Sequence, residues 1–381
     1  MKLSELTSLR LGGEIEHYVP VHDEASLIAA VKEADDQGRP LLVLGGGSNL
    51  VASDAPFTGT VVHTMGPTHP VFLDATCEIS GSGEPTSTPA ALEDRTALEA
   101  SCGGAIVEYF AGTAWDDVVA YAVDRGMVGI EALSGIPGTV GATPIQNVGA
   151  YGQEVSQTIT RVRTWDRVAG AVRTFFASDC GFAYRDSIFK RTPMPGVDPA
   201  VSPTGRYVVL AVTFQHRVGD LSAPIAYAEL AKHLGVQVGQ RAPMREVRDQ
   251  VLAIRAAKGM VLNTADHDTW SAGSFFTNPI LDADDAARLP EAAPRFETPQ
   301  GIKTSAAWLI TNAGFERGFT LTPERAGAAL STKHSLALTN RGEATSADVV
   351  ALASHVRARV HEEFGIWLEP EPVRLGLRIG D

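Results

Sequence analysis

The sequence predicts an α+β fold, and three observations carry that prediction. Short apolar or alternating runs, about four to eight residues each, recur through the first two thirds and read as strands. Helical stripes are fewer and gather after residue 224, so the chain is not a regular βαβ series. Between them lies GIPGTVGATPIQNVGAYG at 135–152, with five glycines and two prolines. No ordinary helix or strand tolerates that density, because glycine forfeits backbone entropy and proline removes a donor. Yet Ile136, Val140, Ile145, Val148 and Tyr151 must be buried somewhere. The residues describe an ordered loop, either structural in its own right or set close against something flat or anionic.

Taken in order, Asp23 caps a helix whose apolar face is Leu27, Ile28, Val31 and Ala34 and which Gly38 ends. Pro40 leads into LLVL at 41–44, a wholly apolar run that reads as a buried strand and empties into GGGSNL at 45–50. Consecutive amides in such a cluster can form an anion-binding nest, and a plain turn explains it equally well. It is neither a dinucleotide fingerprint nor a P-loop. Residues 80–100, SGSGEPTSTPAALEDRTALEA, form a polar surface excursion. Beyond it, 106–110 reads as a strand, 115–125 as a helix closed by Gly126, and 159–165, 172–176 and 207–215 as strands. Residues 225–234 make a short helix. Pro243 opens a stronger one with a stripe of Val247, Val251, Leu252 and Ile254, and with Arg255 and Lys258 at its C-terminal end. Further helices occupy 304–312 and the run from Ser346 bearing Val349, Val350, Leu352, Ala353 and Val356. Residues 373–379 return as a strand, and the change of texture near 217–224 divides the chain into 1–220 and 221–381.

A length of 381 residues leaves room for two or three domains with real cores. The net charge of -13 argues against nucleic acid or an anionic membrane as a partner, since both call for a basic field. Local arginine and lysine can still take an anionic small molecule. Three scattered cysteines, Cys77, Cys102 and Cys180, show no metal-ligand spacing and no disulfide framework. With no signal-peptide core at MKLSELTSLRLGG and no run of bilayer length, the expectation is a cytoplasmic protein without membrane insertion or metal.

Four stretches concentrate reactive side chains. In YRDSIFK at 184–190, Arg185 stands between Tyr184 and Asp186; the carboxylate can hold the guanidinium and aim it at an anion, or the group is a surface ion pair. In GSFFTNP at 273–279, Ser274 sits between a glycine and two aromatics on a constrained, partly shielded turn. It lacks the setting of an acyl nucleophile, but a hydroxyl beside a charged network can deliver a proton. In LEPEP at 368–372, Glu369 and Glu371 share a side if the segment is extended; solvated surface glutamates are the plainer alternative. In STKHS at 331–335, His334 either donates to a phosphate or caps a strand.

In order along the chain, LGGGSNLV at 44–51, the loop 135–152, YRDSIFK, GSFFTNP, AAWLITNAGF at 306–315 and WLEPEPVRLG at 367–376 resemble the UDP-N-acetylenolpyruvoylglucosamine reductases. The resemblance implies a two-subdomain FAD-binding domain of the vanillyl-alcohol oxidase (PCMH) type in 1–220. An α+β substrate-binding domain in 221–381 follows, its last strand returning to the active site. It also implies the reaction: NADPH reduces a non-covalent FAD, and hydride then passes to the enolpyruvyl methylene of UDP-N-acetylglucosamine enolpyruvate. Protonation of the adjacent carbon gives UDP-N-acetylmuramate, a step of peptidoglycan synthesis.

Carried over residue by residue, Arg185 matches the arginine beside the substrate carboxylate, Ser274 the proton donor and Glu371 the glutamate at the enolate end. Glu371 is preferred to Glu369 because it directly precedes the Pro-Val-Arg segment. Gly45, Gly46, Gly47, Ser48 and Asn49 match one side of the FAD site. Ile136, Pro137, Gly138, Thr139, Gly141, Gln146, Asn147 and Gly149 match the other. Tyr227 corresponds to a tyrosine that closes over the nucleotide sugar in one branch of the family, and Lys258 to a lysine on the diphosphate. Asn278 and His334 fall at ligand-contacting positions. His334 departs from the glutamine known there, the 80–100 insertion is a second departure, and Pro372 beside Glu371 is a third. The alternatives are another FAD-dependent oxidoreductase of the same fold, or a non-catalytic regulator that binds nucleotide sugars. A binder has no need of Ser274, and a tethered flavin would call for a histidine or cysteine that residues 45–49 lack. A monomer is expected.

Overall fold

Trp115, Val118, Val119, Ala122 and Val123 fall on one face of the helix Trp115–Asp124, and all five are buried. They pack on an antiparallel sheet whose strands run in the order Ala171–Phe176, Ile159–Asp166, Tyr207–Val218, Ala105–Phe110 and Val71–Asp74. This computed structural model describes residues 1–67, 70–74 and 104–380; the 80–100 excursion, Cys77 and Cys102 lie outside them. Two compact units emerge, each assembled from separated stretches. One is His17–Gly46 with Gly59–Ala256; the other is Met1–Glu16, Gly47–Thr58 and Ala257–Asp381.

The first unit holds the antiparallel sheet and a three-stranded one ordered Ile15–Val21, Phe57–Thr64, Leu41–Leu44. The expected cap at Asp23 is present: its carboxylate accepts the Ser26 amide at 2.7 Å and starts Glu24–Asp36. Leu27, Ala30, Val31 and Ala34 of that helix pack with Leu41, Val62, Trp165 and Leu210.

His216 lies in the same unit, wholly buried, its Nδ1 3.2 Å from the Val128 carbonyl and its Nε2 without a partner among the described residues. Burial pushes its pKa down to about 4 from an ordinary 6.5. Between those values the unfolded chain binds the proton and the folded one does not, so stability falls as pH drops through that window. Chemical denaturation at pH 7 and pH 5 should show a loss of about 2 kcal/mol from this group. A His216→Gln variant should show correspondingly less pH dependence, and an equal slope would remove His216 as its source.

The second unit is built around the helix Ser346–Phe364, capped by Thr345 and ended by Gly365 at φ +71°. Val349, Leu352, Ala353, Val356 and Val360 face Leu309, Ile310, Phe275 and Leu338 in one core. The C-terminal strand Val373–Leu375 pairs in parallel with Leu50–Ala52, the strand that leaves the first glycine cluster. That pairing explains why residues 47–58 belong with the C-terminal third. The compact units therefore interleave, whereas the division expected from sequence is a single cut at 220/221.

Two of the elements that are shorter than the sequence reading have a clear physical cause. The strand expected over 373–379 stops at Leu375, because Gly376 turns at φ +69° and any Cβ there would stand 3.0 Å from the Ser53 side chain. The helix expected from 225 begins at Ala228, since Ile225 instead exchanges backbone hydrogen bonds with Gln240 and Gly239 at 2.8 Å each. Of the apolar members of the 135–152 loop, all expected to be buried, Val140 is fully so, whereas Ile136, Ile145 and Val148 are half-buried against the main core and Tyr151 against that of Leu230 and Val251.

Candidate active site

The strand Leu41–Leu44 delivers residues 45–46 to the loop at 138–139. A Cβ added to Gly45 would stand 2.2 Å from Thr139 Oγ1, and one added to Gly46 would stand 2.8 Å from Gly138 Cα. Two glycine segments far apart in sequence thus meet main chain against main chain. The second is held from behind: Trp115 N–H donates to Gly138 O at 3.0 Å, and Gly141 N–H to Ala111 O at 2.8 Å. Gly138 sits at φ +123°, a conformation glycine alone adopts without strain. The amides of Gly46 and Gly47 take no partner among the described residues. A cradle of close backbone and available N–H groups fits a flavin dinucleotide, whose diphosphate takes amide donors and whose flat ring needs side chains out of the way.

Arg185 is built onto this loop. Ala183 and Asp186 exchange backbone hydrogen bonds at 3.0 and 3.2 Å, which leaves Tyr184 and Arg185 at the tip of a tight turn. The Arg185 Nη2 donates to the Gly149 carbonyl at 2.8 Å, and its guanidinium lies 5.3 Å from the centre of the Tyr184 ring. Lys190 Nζ donates to both the Arg185 carbonyl and Gln146 Oε1 at 2.9 Å, and Ser187 Oγ to Ile145 O at 2.8 Å. Of the two readings offered for Asp186, holding Arg185 or forming a surface ion pair, the carboxylate takes the second, and its partner is Arg191. Asn147, expected to touch cofactor, spends its Nδ2 on Ala183 O at 2.9 Å and Glu154 Oε2 at 2.8 Å. It ties the glycine loop to the Arg185 turn. Among the described residues, the non-glycine residues at positive φ are Arg10, Asn147, Tyr151 and Arg185. Three of the four therefore stand here, each at a cost of about 1–3 kcal/mol that the surrounding bonds must offset.

Tyr227 ends the same region. Its ring meets that of Tyr151 edge to face at 5.7 Å, and a Cβ on Gly152 would stand 2.6 Å from Ala226 Cβ. The exposed Tyr227 is thereby set on the glycine loop itself. Burial pushes the Tyr151 hydroxyl up to about 12, so it stays protonated at neutral pH.

Ser274, Glu371, Asn278, His334 and Lys258 fall in the second unit. An antiparallel bridge between Phe276 and Pro370 joins Ser274 and Glu371, with Glu371 N–H donating to Phe275 O at 2.9 Å and Thr277 N–H to Glu369 O at 3.0 Å. That register sets Phe275 across from Glu371 and Ser274 one residue away. Phe275 and Phe276 are buried, whereas the Ser274 hydroxyl is half-exposed and makes no hydrogen bond among the described residues. Glu369 is exposed and Glu371 half-buried. Pro372 precedes the last strand, whose first amide, Val373 N–H, reaches Asn49 O at 2.9 Å, so the proline removes no ladder bond. The Asn278 amide oxygen accepts from Ala306 N–H at 2.9 Å, at the start of the helix Ala306–Asn312.

The sequence reading missed the acids that organise these loops. Asp268 is buried and accepts from Ser331 Oγ (2.9 Å), Thr332 N–H (2.8 Å), Thr332 Oγ1 (2.6 Å) and Arg341 (2.9 Å), which shapes the turn carrying His334. Burial alone would raise its pKa, but those donors outweigh it and hold the carboxyl below its ordinary value. Glu131 is buried too and accepts from Gly129 and Ala223 amides at 2.7 Å and Gln153 at 2.9 Å. Their partners lie up to 92 residues away, so no local pattern announces them.

Comparison with known proteins agrees with this geometry. A family model described as FAD binding domain matches residues 15–78 and 92–175. A second, UDP-N-acetylenolpyruvoylglucosamine reductase, C-terminal domain, matches 265–375. The chain is 50% identical to the UDP-N-acetylenolpyruvoylglucosamine reductase of Cutibacterium acnes over 99% of its own length and 90% of that protein's. It is 47% identical to the enzyme of that name from Streptomyces coelicolor, with 99% and 90% covered. The crystal structure of the UDP-N-acetylenolpyruvylglucosamine reductase of Thermus caldophilus superposes with a TM-score of 0.57 at 21% identity, covering 98% of this chain and 97% of that one, which shows a shared fold.

Proposed function

The chain belongs to the UDP-N-acetylenolpyruvoylglucosamine reductase family and carries out the FAD-dependent reduction of enolpyruvyl-UDP-N-acetylglucosamine in peptidoglycan synthesis, and we propose which of its residues do so. Residues 45–49 and 136–149 hold the FAD without a covalent link, the first through backbone amides and the second through close main-chain approach. When bound, FAD supplies the hydride, drawn from NADPH. Residues 1–220 serve the cofactor and 221–381 the substrate, as functional halves laid over the interleaved compact units.

Adding hydride to the enolpyruvyl methylene leaves charge on the carbon next to the substrate carboxylate. Fixed cations and donors at that point lower the barrier. Arg185 binds the carboxylate with its guanidinium, Glu371 supports the enolate end, and the Ser274 hydroxyl delivers the proton that completes the lactyl group. Lys258, Asn278 and His334 take the nucleotide, and Tyr227 covers the sugar, as in the branch that carries a closing tyrosine. The observation that carries this reading is Arg185 itself: an arginine held at φ +54° with its guanidinium on the Gly149 carbonyl is preset, not free to wander.

Among the described residues no helix is long and apolar enough to cross a membrane. The reading is completed by a cytoplasmic monomer, which size-exclusion chromatography tests directly. The purified protein should be yellow. NADPH should bleach its absorbance and the enolpyruvyl nucleotide should restore it, whereas a colourless protein with no FAD affinity would sink the assignment.

A further inference from the structure

Asp116 stands in the first turn of the helix Trp115–Asp124 and uses both carboxylate oxygens. Oδ1 accepts the Gly135 amide at 2.6 Å and Arg248 Nη1 at 2.7 Å; Oδ2 accepts Arg248 Nη2 at 2.8 Å. Gly135, at φ +70°, is the first residue of the glycine loop, and Arg248 belongs to the helix Met244–Ala257. Two turns further along that helix, and on the same face, comes Arg255, whose charge is felt by both Asp116 and Tyr151. The helix then delivers Lys258. Burial pushes the Asp116 carboxyl up, but the Arg248 fork and the Gly135 amide outweigh it and keep the group ionised.

We propose that Asp116 and Arg248 are positioning residues that set two ligand sites from one carboxylate: Asp116 fixes the entry to the FAD loop through Gly135, and Arg248 fixes the helix whose end meets the substrate diphosphate. The geometry separates the two tasks. An amide at 116 keeps an oxygen for Gly135 and loses the charged fork to Arg248; a methyl group loses both. A bidentate fork also sets direction, which a single lysine contact does not reproduce. The inference rests on the functional reading above, in which the nucleotide diphosphate meets this helix end.

The test uses the holoenzyme, with UDP as probe for the substrate site, and the apoprotein titrated with FAD. Arg248→Met and Asp116→Asn should each weaken UDP binding by about three- to tenfold, with FAD affinity within about twofold of wild type. Asp116→Ala should weaken both ligands, FAD by about fivefold or more. Arg248→Lys should recover part of the UDP loss, and in turnover the Arg248→Met effect should fall on KM more than on kcat. Since Asp116→Asn and Arg248→Met break the same pair, their double variant should be no worse than either alone. UDP affinity unchanged in a folded Arg248→Met overturns the proposal, as does an Asp116→Ala that binds FAD no more weakly than Asp116→Asn. A wild-type protein that binds neither FAD nor UDP overturns the functional reading first.

Discussion

Ser274→Ala is expected to leave the reduction of bound flavin by NADPH at its wild-type rate and to slow turnover of the enolpyruvyl nucleotide by about a hundred- to ten-thousand-fold. The two halves of the reaction separate because only the second needs a proton at carbon. Ser274 follows Gly273 at φ +75°, is backed by the buried rings of Phe275 and Phe276, and has its turn held by Phe275 N–H on Leu336 O at 2.8 Å. The backbone is fixed and the hydroxyl is uncommitted, so alanine removes the donor and little else. Stability should change by no more than about 0.5 kcal/mol, because the side chain is half-exposed and makes no hydrogen bond among the described residues. Ser274→Cys, which keeps an ionisable donor at nearly the same reach, should recover part of the rate. Stopped-flow measurement of each half decides the matter. Equal slowing of both halves would make Ser274 a packing residue rather than the proton donor.

Much of this was legible from local pattern. The cap at Asp23, the apolar strand 41–44, the long helix from Ser346 and the density of glycine at 135–152 each depend on neighbours a few residues apart, and each stands where the sequence put it. The site residues follow from family order, and the structure adds how they are held. What local pattern could not show is contact between distant segments. Gly45 and Gly46 are glycines because residues 138–139 lie against them, a reason invisible from either loop alone. The carboxylate beside Arg185 in sequence is not the group that holds it; the Gly149 carbonyl, 36 residues earlier, is. Likewise the parallel pairing of Val373–Leu375 with Leu50–Ala52 redraws the unit boundaries, since a strand's partner is not written in its own alternation.

That distant contact yields the other large effect. Gly45→Ala and Gly46→Ala should each raise the FAD dissociation constant by roughly 5- to 150-fold, the equivalent of about 1–3 kcal/mol of overpacking. Neither glycine is in the left-handed region, so alanine is acceptable to the backbone itself and the penalty is the collision. The two collisions differ in kind. At Gly45 the nearest atom is Thr139 Oγ1 at 2.2 Å, with Thr139 Cβ behind it at 3.2 Å; removing the hydroxyl and methyl opens most of the needed room. At Gly46 the obstacle is Gly138 Cα at 2.8 Å and its nitrogen at 3.1 Å, main chain that no substitution can trim. In the background of Thr139→Ala, then, Gly45→Ala should cost far less than it does in wild type, while Gly46→Ala should cost the same in both. Fluorescence titration of apoprotein with FAD measures all six proteins, and thermal unfolding separates loss of fold from loss of affinity. If Gly46→Ala binds FAD as wild type does, the close approach of the two loops is not what shapes the cradle. A Gly45→Ala penalty unrelieved by Thr139→Ala would move the cause from the collision to the amide at position 45.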